Sequence, residues 1–405
     1  MKKGWQIKRL GDVCEKITDG THQTPTYFDE GILFLSSRNV TSGTIDWEDV
    51  KYIDSKQHVE MQRRVSPRLN DILLAKNGTT GVAAMVDRDV SFDIYVSLAL
   101  LRPLAVVRPT FLLHFINSPL AKQQFSKRLK GIGVPNLHLE EIREVTIPVP
   151  PLSEQQRIVS ILDDALEKIT TAKANAEKNL QNARALFESH LDDVFTKRGK
   201  GWVEKKLGDL CDFLNGFAFK SGDAVAESRT QLVRMGNLHG NQLDLSRSPV
   251  YYPNNFATDH SRYVLDEGDI IMSLTGTTGK EDYGFAVRIP DCDNTLLMNQ
   301  RILKFDALRR DLIDECYFLH YLRSRCFLDA LYPTANGTRQ ANLSSVTMKL
   351  LPVPLCSLKE QKMIAAKLDS LSSETQRLEA IYRQKLAALE ALKKSLLDQA
   401  FSGGL

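Results

Sequence analysis

Apolar and polar positions along this 405-residue chain follow two regimes, and each regime occurs twice. Over residues 1–151, short apolar runs are separated by Gly, Asn, Asp and Pro, the punctuation of strands and loops. Ile147-Pro148-Val149-Pro150 closes that stretch, because its prolines forbid a helix there. The pattern then changes period. Ser153 stands where a helix cap is needed, with Gln156 three residues on. Apolar positions follow in steps of three and four: Ile158, Leu162, Ala165, Ile169, Ala172, Ala176, Leu180, Ala183, Phe187 and Val194. Residues 201–355 return to strand-and-loop texture. A second helical stripe follows through Ile364, Leu368, Leu371, Leu378, Tyr382, Leu389, Leu392 and Leu396. Neither stripe contains Pro or Gly for some forty residues, so each predicts a rod of roughly 60 Å at 1.5 Å per residue.

The two halves are copies. Gly4–Cys14 (GWQIKRLGDVC) returns as Gly201–Cys211 (GWVEKKLGDLC), and Asp71–Gly81 (DILLAKNGTTG) returns as Asp269–Gly279 (DIIMSLTGTTG). Ile147–Ile158 returns as Leu351–Ile364 with two extra residues, and the ending Leu191–Phe195 returns as Leu397–Phe401. Four matches in one order, each about 200 residues apart, mark a duplicated unit. Two rods with matching apolar stripes predict an antiparallel coiled coil. The expected fold is α/β (α+β): two duplicated globular α/β domains separated by two long antiparallel helices, related by a pseudo-twofold axis. Its segments are a first globular domain (1–151), a central helical spacer (152–200), a second globular domain (201–355) and a C-terminal helical spacer (356–405).

Composition narrows the function classes. Hydrophobic residues make up 42% and charged residues 25%, and the formal net charge is only +3. Residues 1–151 carry 20 Lys and Arg against 17 Asp and Glu, and residues 201–355 carry 17 against 19. Nucleic-acid binding is permitted but must rest on local clusters. No apolar run is long enough to span a bilayer, and the six scattered cysteines lack a Cys-x-x-Cys pair, which predicts reduced, mostly buried thiols in a cytoplasmic protein. Catalytic motifs are missing. Gly276–Lys280 fails the spacing of a phosphate loop, and Glu360-Gln361-Lys362 has no upstream Pro-Asp. The histidines show no zinc spacing, and Asp163-Asp164 and Asp192-Asp193 fit a solvated helix face.

Trp5–Asp12 and Trp202–Asp209 share a Trp-x-x-x-x-Leu-Gly-Asp opening. With the Gly-Thr-Thr-Gly loops and the Pro-Val-Pro-Pro-Leu-x-Glu-Gln-x-x-Ile helix start at Pro148–Ile158, matched at Pro352–Ile364, it resembles the specificity subunits of type I restriction–modification systems. The resemblance covers nearly the whole chain. It implies that each globular domain is a target-recognition domain for one half of a split, asymmetric site in double-stranded DNA. The helices then act as a ruler and as the dock for two adenine methyltransferase subunits, joined by motor–nuclease subunits in a full restriction complex. It implies no catalysis and no cofactor in this chain: S-adenosylmethionine belongs to the methyltransferase subunit, and ATP and magnesium to the motor–nuclease. The second copy reads Pro354-Leu355-Cys356-Ser357-Leu358 at its helix start, an apparent insertion that would shift the helix. Two other classes stay open on residues alone: a coiled-coil scaffold with protein-binding ends, and a self-contained DNA methyltransferase or nuclease.

Three loops per domain carry the candidate DNA contacts. The first offers Lys76, Asn77, Thr79 and Thr80, and in the second copy Thr275, Thr277 and Thr278, with glycines that let backbone amides approach phosphate. A tight turn is the alternative there. The second loop carries Ser37, Arg38 and Asn39, matched by Arg234, Gly236 and Asn237. Arg bidentate to guanine competes there with an ordinary surface ion pair. The third runs Gly133–His138, with Asn136, against Gly337–Leu343, with Arg339, Gln340 and Asn342. Arg339 with Gln340 is the sharpest candidate. Tyr251-Tyr252, Phe217 and Phe219 suit either base stacking or a core.

Overall fold

The computed structural model describes residues 4–40, 43–78, 80–129 and 136–405. The chain forms two compact units, Met1–Lys178 with Arg383–Leu405, and Asn179–Tyr382. The helices Leu152–Thr196 and Leu358–Ser402 are each 45 residues long, and each contributes one part to each unit.

In the first unit a four-stranded antiparallel sheet runs Cys14–Asp19, Leu98–Pro103, Ile72–Ala75, Ala83–Met85. All four residues of Ile72–Ala75 are buried because the sheet is covered on both faces. Ile72, Leu74, Ala99 and Leu101 enter one core, and Leu73, Ala75, Leu98 and Leu100 enter another, as a period of two dictates. A second sheet places Ile32–Leu35 between Lys51–Ile53, antiparallel, and Phe92–Ile94, parallel. The second unit repeats this plan. Its first sheet runs Asp212–Asn215, Ile302–Asp306, Ile270–Ser273, Ala286–Arg288, with Ile270 and Met272 in one core and Ile271 in the other. Its second sheet sets Thr230–Val233 between Tyr251–Tyr252 and the parallel strand Thr295–Met298.

A two-stranded clasp closes each domain, and its register corrects one expectation. Gln6 pairs with Val149 and Arg9 with Thr146; Val203 pairs with Leu355 and Lys206 with Pro352. Thr146–Val149 therefore corresponds to Pro352–Leu355, with Pro148 matched by Pro354. The expected two-residue insertion is absent, because it came from aligning the wrong prolines. Each helix starts three residues beyond its clasp, at Leu152 and Leu358.

The helix start also differs from the expected Ser153–Gln156 cap. Ser153 is already helical, and the neighbouring Gln155 does the fixing from a fully buried position. Its Nε2 donates to the carbonyls of Pro150 at 2.8 Å and Val106 at 3.0 Å, and its Oε1 accepts from Arg108 N at 2.8 Å. Gln361, equally buried, repeats all three: it donates to Cys356 and Leu312 and accepts from Asp314 N.

The long helices run antiparallel within each unit. In the first, Arg157 donates to the Leu405 carbonyl and Lys173 pairs with Glu390 at 2.9 Å. In the second, Arg184 pairs with Glu379 at 2.8 Å, and Leu191 and Phe195 share a core with Ala365 and Leu368. An aromatic anchor ends each helix. Phe401 meets Phe111 and Phe115, and Phe195 meets Tyr317 and Tyr321, all at 5.2–5.4 Å between ring centroids. Of the cysteines, only the matched pair Cys14 and Cys211 is buried, which corrects the expectation that most are; burial pushes both thiols up to about 12. Among the described residues no helix is long and apolar enough to cross a membrane.

Gln361→Ala orphans two carbonyls and one amide in a buried place, and is expected to destabilise the second unit by about 1–3 kcal/mol. The check is the midpoint of chemical denaturation; an unchanged midpoint contradicts the role given to the amide.

Candidate nucleic-acid interface

The three candidate loops converge in both units. In the second, the strand Thr275–Thr277 pairs with Gln340–Asn342, with Thr275 opposite Asn342. Leu343 N donates to the Leu274 carbonyl, and the Thr275 hydroxyl donates to Met235 Sδ at 2.9 Å, joining the Arg234–Asn237 loop to the ribbon. In the first unit Asn77 bridges Asn136, and Leu137 N donates to the Lys76 carbonyl. Ser97 ties in the remaining loop by accepting from Ser37 N and Lys76 N. Thr79 and Gly133, Val134 and Pro135 lie outside the described residues.

Several candidate side chains hold the loops together instead of facing outward. Asn39 is 6% exposed; its Oδ1 accepts from Ser36 N, and its Nδ2 donates to the carbonyls of Asp46 and Asp49. Asn237, 2% exposed, does the same with Arg234 N, Asp244 and Arg247. Each amide is engaged on both sides, so neither presents an edge to a base: these two expectations are corrected to loop staples. Lys76 is likewise buried, 3.2 Å from Asp19, which Arg64 and His22 also contact. Burial alone would raise the Asp19 carboxyl, but Arg64, Lys76 and His22 hold it below its usual range. The second copy has Leu274 and Asn215 in place of Lys76 and Asp19, a neutral version of the same site. Thr275 is buried against Met235, and Thr277 gives its hydroxyl and amide to Asp282, both at 2.7 Å. Gly276 permits that contact, since a Cβ there would lie 2.3 Å from Asp282 Oδ1.

The remaining candidates stay near the surface. Arg339 is exposed just before the strand Gln340–Asn342, Gln340 is half-buried, and Asn342 is exposed with Nδ2 donating to the Gln340 carbonyl. Thr278 is exposed and donates to the Gly337 carbonyl, and Thr80 is half-buried. Arg38 lies 3.9 Å from Asp49, the surface pair weighed for it. Asn77 and Asn136 are half-buried, each with a buried Oδ1. Arg234 is half-buried and donates to the Ser248 carbonyl. Of the aromatics, Tyr252 and Phe219 pack in a cluster with Phe256, while Phe217 is 37% exposed beside His260 and Tyr263.

The sequence model described as type I restriction modification DNA specificity domain matches residues 2–181 and again 199–390. The chain belongs to that family. Among its relatives, the type I restriction enzyme EcoKI specificity subunit of Escherichia coli is 24% identical, with 100% of this chain and 90% of that protein covered. The MjaVIII specificity subunit of Methanocaldococcus jannaschii is 25% identical, covering 72% of this chain and 69% of its own length. Two solved structures share the fold at 20% identity. One is a chain from a type I R-M system, solved for its complex assembly and conformational transition: TM-score 0.76, covering 100% of this chain and 99% of that one. The other is the HsdS subunit of Thermoanaerobacter tengcongensis: TM-score 0.56, covering 100% and 98%.

Each specificity domain also holds a cleft lined by residues that pattern reading missed; of the lining arginines, Arg234 alone is among the expected residues. In the second, Arg234, Arg247, Arg301, Asn299 and Gln300 line a cleft of about 390 Å³ that includes Met235 and Ser248. In the first, Thr21, His22, Gln23, Gln57, Glu60 and Arg64 line one of about 320 Å³. A usable signal existed: Arg247 and Arg301 occupy the places of Asp49 and Ser97, positions where the copies differ in charge.

Lys76→Leu strands Asp19 with fewer partners, and is expected to cost roughly 3 kcal/mol of stability. Adding Asp19→Asn, which reproduces the second copy, should recover most of it. Denaturation of the single and double variants decides; a harmless single variant would return Lys76 to the pool of DNA contacts.

Proposed function

We propose that this specificity chain reads a split, asymmetric site in double-stranded DNA, one half per domain, and does no chemistry of its own. Two adenine methyltransferase subunits dock on it and supply S-adenosylmethionine chemistry; motor–nuclease subunits using ATP and magnesium join where the system carries them. One observation carries this reading. The two domains keep the same frame, down to the Asn39/Asn237 staples and the Gln155/Gln361 helix starts, while their converging loops differ in charge and side chain. A duplicated frame with unlike faces suits two readers of unlike half-sites. Each reader can be weak, because joining two of them raises affinity through effective concentration.

The test is methylation sequencing of DNA from cells expressing the chain with its neighbouring methyltransferase subunit. The expected result is a split motif with adenine methylated in each half, lost when the chain is omitted. An active methyltransferase with no chain-dependent motif would instead support a protein-binding scaffold. Arg339, exposed and without a carboxylate partner among the described residues, makes the finer prediction. Arg339→Ala should relax or abolish one half of the motif by roughly 1–3 kcal/mol of discrimination and leave the other half's sequence unchanged. Equal relaxation of both halves would contradict one reader per domain.

A further inference from the structure

Five of the 17 Lys and Arg residues of the second specificity domain form ion pairs with its own carboxylates. Arg288 and Arg310 pair with Glu315, Arg309 with Asp311, Arg325 with Glu281 and Lys304 with Asp269. Three further arginines, Arg234, Arg247 and Arg301, line one cleft, and no acidic residue lines it with them. Among the described residues none of the three forms an ion pair with an acid. Asp244 lies close enough for Arg247 to help hold its carboxyl down, behind the Ser246 hydroxyl, which does most.

The roots of these side chains are fixed. Arg301 N donates to Asn299 Oδ1 and its carbonyl accepts from Leu274 N, at the base of the Thr275 ribbon. The Arg247 carbonyl is held by the Asn237 staple, and Arg234 is oriented by the Ser248 carbonyl. Three like charges gathered in a recess repel one another, and an anion relieves that repulsion. The corresponding places in the first domain are Ser36, Asp49 and Ser97. Its one cation in this loop, Arg38, stands where the second domain has Gly236 and lies beside Asp49. The cationic cleft therefore belongs to the second domain alone.

We propose that the Arg234–Arg247–Arg301 cleft holds a backbone phosphate of the DNA duplex, positioning the second specificity domain on its half-site without reading a base. This assignment rests on the DNA-reading function proposed above. A single guanine edge accepts one arginine fork. Three arginines lining one cleft suit a phosphodiester, whose oxygens accept from several directions.

The experiment measures equilibrium binding of the chain with its methyltransferase subunits to a duplex carrying the methylated motif, over a series of salt concentrations. A phosphate contact contributes about 0.9 to the slope of log affinity against log salt. The Arg247→Gln, Arg301→Gln double variant should therefore flatten the slope by up to about 0.9, while the motif in methylation sequencing keeps every base. The Arg247→Lys, Arg301→Lys variant should keep most of the slope, since charge is retained and only the fork is lost. Thermal unfolding of each variant establishes that it is folded. Loss of one specified base with an unchanged slope would overturn the proposal in favour of base reading, and a Gln variant with wild-type slope and motif would overturn it outright. A wild-type complex that does not prefer its own motif would remove the specificity reading, and this assignment with it.

Discussion

One buried amide per copy determines how the rest of each unit is arranged. Gln155 and Gln361 each satisfy three backbone groups: a carbonyl just past the clasp, and a carbonyl and an amide at the turn before the helices Pro109–Ile116 and Glu315–Arg323. Moving the long helix against the domain would orphan all three groups away from water, a cost larger than most single surface contacts can offset. Two turns further along, His114 meets Asp163 at 2.7 Å and His320 meets Asp369 at 2.7 Å. Burial lowers the His320 pKa while Asp369 works to raise it, so the ring is held mainly as a neutral hydrogen-bonding strut. Within each unit, domain and helix start are one mechanical piece.

The two internal copies separate frame from face. Gly20 and Gly216 allow backbones to approach where a Cβ would fall 1.8 Å from the Ile94 carbonyl or 2.1 Å from that of Asn299. The staples, struts, anchors and clasp recur with the same partners. What differs is the Asp19–Lys76 pair against Asn215 and Leu274, and the loop charges at Arg38, Asp49 and Ser97 against Gly236, Arg247 and Arg301. A buried ion pair replaced by neutral residues in the same frame is physically ordinary, because such a pair contributes little net stability while both partners are present.

The duplication, the strand-and-loop texture and both long helices were legible because they rest on period and repetition. Backbone periodicity is written along one dimension. The clasp register was not legible, since proline spacing alone permits two alignments and only the pairing of Gln6 with Val149 and Val203 with Leu355 selects one. Asn39, Asn237 and Lys76 looked like DNA contacts because residue type reports hydrogen-bonding capacity and not where that capacity is engaged. Arg247 and Arg301 escaped because they lie far along the chain from Arg234 and are brought beside it only by the sheet and the Asn237 staple.

Charge then explains how a near-neutral chain can suit a polyanion. A domain with 17 cations and 19 anions between residues 201 and 355 has no long-range field to draw DNA in. Anions that match the cations in number, five of the cations in direct ion pairs, cancel the domain's field beyond about a Debye length. The arginines gathered in the Arg234–Arg247–Arg301 cleft form no such pair among the described residues and act at short range, on a ligand already in place. Such an arrangement favours register over capture, with local points that must fit rather than a general field. A reader that bound DNA strongly through general charge would hold wrong sites nearly as well as right ones. Near-neutrality with local, rigidly rooted cations is therefore consistent with a subunit whose task is discrimination.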